Sequence, residues 1–381
     1  MAMHIELAHA PTRARHHARV REAQLETRLA RFRAELRPRI RALAAEHAWI
    51  ADLASSFPAL LVALAFPRPR VDVREAMLLV TTGAPLATIA EHVGVPLWLR
   101  NFSPEAFDRA LPKLPDSAAF RRRIANHPPA AWSHAPRWLE SVALAADVAD
   151  EEIALWFARE NPAKPKRRRR GYQPPCKRRL VALWAWHSRH GAVKGDAWQW
   201  DMNWKNALNA AYAWSDSLEL ALFLGETPVA DAWLEDGAVD GYDFIGLHTA
   251  EAVRAEAAAM KHCAHTYGAS LAGNEYRLWS IRRDGARVAT MSVSADRLVL
   301  PTIREISGLA NAKVPVDVFI AARRWLHAQD RPDIDAKRFQ YRSPRFDAAA
   351  WRAQWRPYWL AKRRIPEWLP LTPPADGFLP I

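Results

Sequence analysis

The segment MKHCAHTYGAS at 260–270 gathers several of the side-chain types in this sequence that can do chemistry. His262 and Cys263 are adjacent, and Tyr267 follows four positions after the cysteine. A cysteine thiolate is a nucleophile and a metal ligand, while imidazole acts as a base or a ligand. The segment is therefore compatible with three interpretations: a catalytic thiol with its base, a metal site, or the packed face of a helix.

One long helix is predicted to carry this segment. Thr249 is a suitable N-cap, Glu251 lies favourably in the first turn, and Gly273 is predicted to end the helix. The residues that share one stripe of this helix are Glu256, Met260, Cys263 and Tyr267. His262 points about 100° away from Cys263 around the helix axis, so the two side chains are predicted to face different surroundings.

The chemistry of the segment is therefore predicted to depend on partners from other elements. The neighbouring histidines do not face Cys263 on a helix, so a base for the thiol would come from His248 or His327. No second pair of ligands follows at the spacing of a zinc site, and we predict neither a metal nor a cofactor. The favoured interpretation places Cys263 beneath a sheet as a small buried hydrophobe, together with Tyr267.

The elements that follow predict the sheet. Two alternating runs joined at Asp284-Gly285 predict a β-hairpin, and LPTIREI at 300–306 predicts a third strand. Helical spacing returns at 316–330, which predicts an antiparallel sheet with helices on one face. Upstream, short helices broken by proline predict a helical N-terminal region. The predicted fold class is α+β, a mostly helical N-terminal region followed by a small antiparallel sheet flanked by helices.

A polar cleft is predicted where the loop at 307–311 meets the helix. Its predicted lining consists of His262, Arg282, Glu305 and Asn311. Gly308 permits a tight turn, and Asn311 can both donate and accept hydrogen bonds. Such a cleft would bind a nucleotide or a strand of nucleic acid, or would act as an enzyme with Glu305 as acid or base. The catalytic candidates are His262, Cys263, Glu305 and Asn311.

Charge points to a polyanionic partner. Lysine and arginine number 54 against 41 aspartate and glutamate, which gives a net charge of +13. The densest basic block contains Lys164, Lys166, Arg167, Arg168, Arg169, Arg170, Lys177, Arg178 and Arg179. Its prolines and glycine predict an exposed linker that contacts phosphates of DNA or RNA with low sequence specificity. The alternatives are a solubilising loop and an arginine excess that reflects coding composition.

Two further stretches are rich in aromatic or apolar residues. A single amphipathic helix is predicted from Arg13 to His47, with a stripe of Leu25, Leu29, Phe32 and Leu36. The tryptophans between 184 and 233 are predicted to be mostly core. Near the C-terminus, Trp351, Trp355 and Trp359 share one face of a helix that Pro357 is predicted to kink. This helix either clamps the tail onto the protein or presents a surface to a protein partner or a membrane.

The run from about Leu247 to Pro315 resembles the PcfJ-like domain, a bacterial family named from conjugative plasmids. The matching positions are Glu256, Met260, His262, Cys263, Tyr267, Gly273, Trp279, Ser280, Ile281, Arg282, Thr290, Ile303, Gly308 and Asn311. Glu305 departs from the pattern, since the family has glutamine there. The resemblance implies a plasmid or mobile-element background and no agreed chemistry.

These observations together predict the organisation of the chain. We expect a helical region at 1–160, a basic linker at 161–180, a PcfJ-like α+β domain at 181–330 and a Trp/Arg-rich extension at 331–381. Only Cys176 and Cys263 are thiols, and no apolar run reaches the roughly 20 residues of a membrane span, so we expect a cytoplasmic protein. A nucleic-acid-associated protein is the favoured function and an enzyme is the alternative. Burial of both His262 and Cys263 favours the first, and an open cleft with Cys263 near an unrelated histidine favours the second.

Overall fold

The computed structural model describes residues 23–69, 71–160, 177–191, 197–224, 234–295, 301–329 and 347–365. These residues divide into two units. The N-terminal unit comprises the described residues up to 186 together with 198–207, and the C-terminal unit comprises those of 187–197 and from 208 onward.

The N-terminal unit is helical. Its helices are α1 Arg37–Glu46, α2 Leu53–Ser56, α3 Pro58–Ala65, α4 Val73–Thr81, α5 Leu86–His92, α6 Ala118–Ile124, α7 Ala135–Val148 and α8 Glu151–Glu160. Polar side chains begin several of them: Asp72 accepts hydrogen bonds from two amides of α4, and Ser117 accepts one from the amide of Phe120. Every residue of α3 from Pro58 to Leu64 is buried, which explains the continuous apolar run there. No helix in the described part of the chain is long and apolar enough to cross a membrane.

The predicted continuous helix over 13–47 is wrong. Residues 13–22 lie outside the described residues, 23–29 are helical, and a turn separates them from α1. Pro38 sits in the first turn of α1, where its missing N–H costs nothing, whereas it would break a longer helix. Three stripe residues nevertheless reach the core, Leu29, Phe32 and Leu36.

Tryptophan supplies much of the core, as its density predicts. Trp184, Trp186 and Trp214 are buried, and Trp198, Trp200 and Trp204 are half-buried. Trp233 lies outside the described residues. Trp156 of α8 stacks on Trp204 with ring centroids 6.0 Å apart. Such large rings remove extensive apolar surface from water, which stabilises the helical packing around them.

A five-stranded sheet forms the centre of the C-terminal unit. The strands are β1 Gly237–Val239, β2 Tyr242–Gly246, β3 Tyr276–Arg283, β4 Ala286–Ala295 and β5 Pro301–Ser307. They pair in sequence order and every pair is antiparallel. The helices are α9 Lys177–Arg189 and α10 Trp204–Leu224, each partly in this unit, and α11 Ala250–Met260, α12 Gly268–Ala272, α13 Val316–Ala328 and α14 Ala348–Lys362.

The predicted α+β fold class is confirmed, and the hairpin at Asp284-Gly285 forms as the turn residues predict. The expectation of three strands is wrong because β1 and β2 add a hairpin at the edge. Their turn is Asp240-Gly241, both in the left-handed region, which is the same dipeptide signal as in the predicted hairpin. The sequence therefore contained a signal for this missed element.

Helices cover both faces of the sheet, so the prediction of one covered face is wrong. Val318, Ala321, Ala322 and Trp325 of α13 pack on one face in a cluster with Phe244, Trp279, Ile281 and Met291. Val253 and Ala257 of α11 pack with Leu278 in a second cluster. Since side chains alternate along β3, the side chains of Trp279 and Leu278 point to opposite faces of the sheet. The second face carries the residues of chemical interest.

Helix α14 buries two of its three tryptophans, Trp351 and Trp355, whereas Trp359 is half-buried. Asp347 caps the helix, and its own amide donates to the Leu222 carbonyl oxygen at 2.9 Å. Trp351 and Trp355 are each 1 % exposed, and the helix continues through Pro357. These two rings therefore belong to the core of the C-terminal unit, as the clamp interpretation predicts, and do not present a free surface.

Replacing Trp325 by alanine should destabilise the protein strongly. Its ring stacks on Phe244 at 4.9 Å between centroids and lies 5.5 Å from Trp279, and its indole N–H has no hydrogen-bond partner among the described residues. The loss is therefore one of packing, about 3–5 kcal/mol in the free energy of unfolding measured with urea. Phe319→Ala on the exposed side of the same helix is the matched control, since Phe319 is 43 % exposed. Similar losses in the two variants would contradict this account of the core.

Candidate functional site

Helix α11 stops earlier than predicted. Thr249 caps it as expected, with its Oγ1 accepting from the Ala252 amide at 3.1 Å. The helix ends at Met260, and Lys261 adopts a left-handed conformation with φ 51° and ψ 46°. A 3-10 turn at Ala264–Thr266 and the short helix α12 follow. The predictions of a helix to Gly273 and of a single stripe through Cys263 and Tyr267 are therefore wrong.

A fully buried carboxylate connects α11 to strand β4. Glu256 is 0 % exposed. Its Oε2 accepts from Arg287 Nε at 2.8 Å, and its Oε1 accepts from the Thr290 hydroxyl at 2.8 Å. A buried charge is tolerated only when it is paired and hydrogen-bonded, and here both carboxylate oxygens are occupied.

His262 extends this network. Its Nε2 lies 2.7 Å from Thr290 Oγ1, and its Nδ1 faces the Ala264 amide at 3.4 Å. Because the single hydroxyl proton of Thr290 goes to Glu256, the imidazole must donate through Nε2–H and accept at Nδ1. Burial lowers the pKa of His262, which keeps the ring neutral. Both ring nitrogens are thus engaged within the fold.

Cys263 is exposed, so its predicted burial beneath the sheet is wrong. With the helix ended at Met260, the turn carries His262 inward and Cys263 outward. The thiol lies 3.8 Å from the Tyr267 hydroxyl, to which it is a weak donor. Burial, followed by the neighbouring thiol, raises the pKa of Tyr267 to about 12, so the phenol keeps its proton at neutral pH.

A β-bulge brings Glu305 to the same face. Ser292 pairs with Glu305 and Val293 pairs with Ile303, so Arg304 is an extra residue in β5. Ile303 and Ile306 both pack against the α13 side of the sheet. Arg304 and Glu305 consequently share the opposite face, where Arg304 Cζ lies 5.4 Å from the Tyr276 ring centroid. Ser307 donates to Glu305 Oε1 at 2.6 Å and holds the carboxylate in place.

The loop after β5 presents Asn311. Ala310 and Asn311 have φ values of 53° and 62°, a conformation that side chains other than glycine rarely adopt. The Gly308 amide donates to the Ala312 carbonyl oxygen at 2.8 Å and closes the loop. A Cβ at Gly308 would lie 3.2 Å from that oxygen, so the small residue allows the close approach.

These segments enclose one cleft with about 330 Å³ of empty space up to its open mouth. Its lining residues are His262, Cys263, Ala264, Tyr267, Leu278, Thr290, Ser292, Glu305, Ser307 and Asn311. The structure thus brings all the catalytic candidates together. Arg282, also expected in the lining, instead donates to Ser280 Oγ at 3.1 Å. The sequence reasoning missed Ser292 and Ser307, although Ser292 lies two positions beyond Thr290 on a predicted strand.

Metal chemistry has no arranged ligand set in the described ranges, where no group of three or more His, Cys, Asp and Glu side chains could hold a metal ion. His265, which neighbours the His-Cys pair, is directed away toward Asp216, with Nε2 and Oδ2 3.2 Å apart. The two histidines predicted as bases for the thiol, His248 and His327, are not among the residues that line the cleft. The thiol therefore has no unengaged imidazole beside it in the lining.

Most of the basic block falls outside the described residues, which omit 161–176. Its last members, Lys177, Arg178 and Arg179, form the first turn of α9 rather than a linker. Arg178 donates to Ser141 Oγ at 2.7 Å and lies 3.7 Å from Glu140. Arg178 is therefore committed to the N-terminal unit, while Lys177 and Arg179 are exposed.

Comparison with family models, curated proteins and solved structures gives no match to this chain. The resemblance of 247–315 to the PcfJ-like domain thus remains a prediction from the residues. The function is best inferred from the hydrogen-bonding groups of the cleft and from the charge of the chain.

Removing the Thr290 hydroxyl should destabilise the cleft. Thr290→Val leaves the His262 N–H and one Glu256 oxygen without a partner, and each such buried group costs about 1–3 kcal/mol. The matched control is Thr290→Ser, which retains the hydroxyl and should cost less than about 1 kcal/mol. Urea unfolding gives both values. Equal losses in the two variants would show that the hydroxyl does not link Glu256 to His262.

Proposed function

We propose that this chain is a nucleic-acid-associated protein of bacterial, PcfJ-like background. In this proposal the basic segment binds phosphates and the cleft binds a base. The observation that carries it is the contrast between the net charge of the chain, +13, and the cleft, in whose described lining the Glu305 carboxylate is the only charged side chain. Nucleic-acid binding needs cations for the backbone and hydrogen-bonding groups for the bases, and here different parts of the chain meet the two needs.

The cleft is unsuited to phosphate. Among the described residues its lining contains no lysine or arginine, and the Glu305 carboxylate repels anions. Serine, tyrosine and asparagine side chains instead offer donors and acceptors to a neutral group. These are the groups that read the edges of bases in proteins that bind single strands.

The cations are concentrated in the basic block. Lys164, Lys166 and Arg167 to Arg170 lie within seven positions of the sequence, and Lys177 and Arg179 follow as exposed residues. Each phosphate neutralised by such a residue releases condensed counterions and makes binding sensitive to salt. Flexible arginine side chains contact the backbone of any sequence, so this contribution carries low sequence specificity.

Changing Arg167, Arg168, Arg169 and Arg170 together to glutamine should weaken binding and flatten its salt dependence. On duplex DNA the log–log slope is about 0.9 per phosphate contacted, so the slope should fall by several units. Fluorescence anisotropy at a series of salt concentrations measures it.

The control for this variant removes the same charge elsewhere. Glutamine replaces four exposed arginines that lie far apart in the sequence, Arg33, Arg100, Arg122 and Arg323. If the block is the phosphate site, the scattered variant keeps most of the wild-type slope. Equal slopes in the two variants, or no binding by the wild type at low salt, would remove the support for this proposal.

An enzyme is the second candidate, favoured by the exposure of Cys263 in the open cleft. Covalent catalysis requires a base that takes the thiol proton. His262 cannot supply it in this arrangement because Thr290 and the Ala264 amide engage both of its nitrogens. The Tyr267 hydroxyl, to which the thiol donates, has a pKa raised to about 12, so it is already protonated at neutral pH and cannot take the thiol proton. The geometry therefore favours binding over covalent chemistry.

Two measurements on Cys263 separate these roles. A thiol reagent should label Cys263 in the folded protein, because the side chain is exposed. Cys263→Ser should change the free energy of unfolding by less than about 0.5 kcal/mol and leave nucleic-acid binding intact. A protein that is labelled only after unfolding would contradict the structure of the turn. Loss of a measured catalytic activity in the serine variant would favour the enzyme.

A further inference from the structure

One hydrogen-bond donor in the lining of the cleft is the Ser292 hydroxyl. This residue is mostly buried, with 9 % exposure. The neighbouring Thr290, on the same face of β4, is fully engaged with Glu256 and His262. The Ser292 hydroxyl, which also lines the cleft, can donate to a ligand atom there.

A second donor is directed into the same space. The Tyr267 oxygen accepts from the Cys263 thiol, which leaves the phenolic proton for another acceptor. Burial raises the pKa of Tyr267 to about 12, so that proton stays in place at neutral pH. The phenol and the Ser292 hydroxyl can therefore both donate to a ligand oxygen.

Glu305 supplies the hydrogen-bond acceptors of the cleft. Ser307 occupies one lone pair of Oε1, and each carboxylate oxygen has two, so both oxygens can still accept. Ser292 and Glu305 are paired across β4 and β5, so this carboxylate lies beside the Ser292 donor in the cleft. A ligand that fits must present two N–H groups to Glu305 and, beside them, an acceptor to the donors.

We propose that the cleft binds the Watson–Crick edge of an unpaired guanine. That edge places the N1–H and the 2-amino group side by side, with the O6 acceptor next to them. Adenine and cytosine present one amino donor followed by an acceptor, and uracil presents one N–H between two acceptors, so none of them matches Glu305 equally well.

Two sources can provide this edge, a free nucleoside and an unstacked base in a single strand. Recognition of a base in a strand rests on the proposed nucleic-acid function, whereas binding of a free nucleoside does not depend on it. In a strand, the cleft would add recognition of one base to the backbone contacts of the basic block. Single-stranded bases are commonly recognised through this edge because no partner base occupies it.

The test compares guanosine with inosine, which differs only by lacking the 2-amino group. Binding of each nucleoside to the full chain is followed by NMR, so that no phosphate is present. We expect inosine to bind at least about 10-fold more weakly, since a hydrogen bond to a charged acceptor is lost. Glu305→Gln should weaken guanosine to a similar degree and reduce the preference over inosine below about threefold. Glu275→Gln, a change at an exposed glutamate outside the cleft lining, should alter neither value.

A second arm uses a short uridine-rich single strand with one guanine and the same strand with hypoxanthine there. A guanine preference that Glu305→Gln abolishes, in either arm, supports the inference, and its absence from both arms overturns it. Salt-sensitive strand binding without a guanine preference would leave the proposed function standing and the inference wrong. Guanosine binding with the guanine preference but without strand binding would support the inference and contradict the proposed function. Thermal unfolding of the variants confirms that each is folded, and Ser292→Ala provides an independent test from the donor side of the cleft.

Discussion

The geometry of the cleft depends on one buried carboxylate. Glu256 reaches β4 from α11, and a carboxylate without partners in that position would cost several kcal/mol. Arg287 balances the charge of this carboxylate and donates to one of its oxygens, and the Thr290 hydroxyl donates to the other oxygen. Because Thr290 also receives the His262 N–H, the position of the turn after α11 is tied to the same carboxylate. The orientation of Cys263 follows from that turn.

This dependence explains why the sequence predicted the helix start but not its end. Thr249 and Glu251 act within one turn, so their effect is visible locally. Between Ala250 and Thr266 no glycine or proline interrupts the helical pattern. The chain nevertheless leaves the helix at Lys261, at a cost of roughly 1–2 kcal/mol for its left-handed conformation. Backbone hydrogen bonds from Lys261 and His262 to the Ala257 carbonyl oxygen close the helix end, and His262 then contacts Thr290, far away in sequence, which local periodicity does not contain.

The sheet shows the same division between local and distant causes. The hairpin at Asp284-Gly285 was predictable because two residues determine the turn. Strict alternation along β5, in contrast, would place Arg304 and Glu305 on opposite faces. The bulge that puts them on one face is a property of the pairing between β4 and β5. A cleft lined by His262, Glu305 and Asn311 could thus be predicted from sequence, whereas the place of Cys263 and Ser292 in its lining required the structure.

The glutamate at 305 also bears on what the cleft selects. A glutamine, which the resemblance to the PcfJ-like domain would lead us to expect at this position, would offer one acceptor and one donor and so match a donor–acceptor edge such as that of adenine. A carboxylate offers acceptors only and therefore matches an edge with adjacent donors. It also repels phosphate, so that the backbone of a bound strand would be left to the basic block. In our proposal the Glu305 carboxylate thus determines which base the cleft accepts, while Thr290 and Glu256 hold His262 in place independently of it.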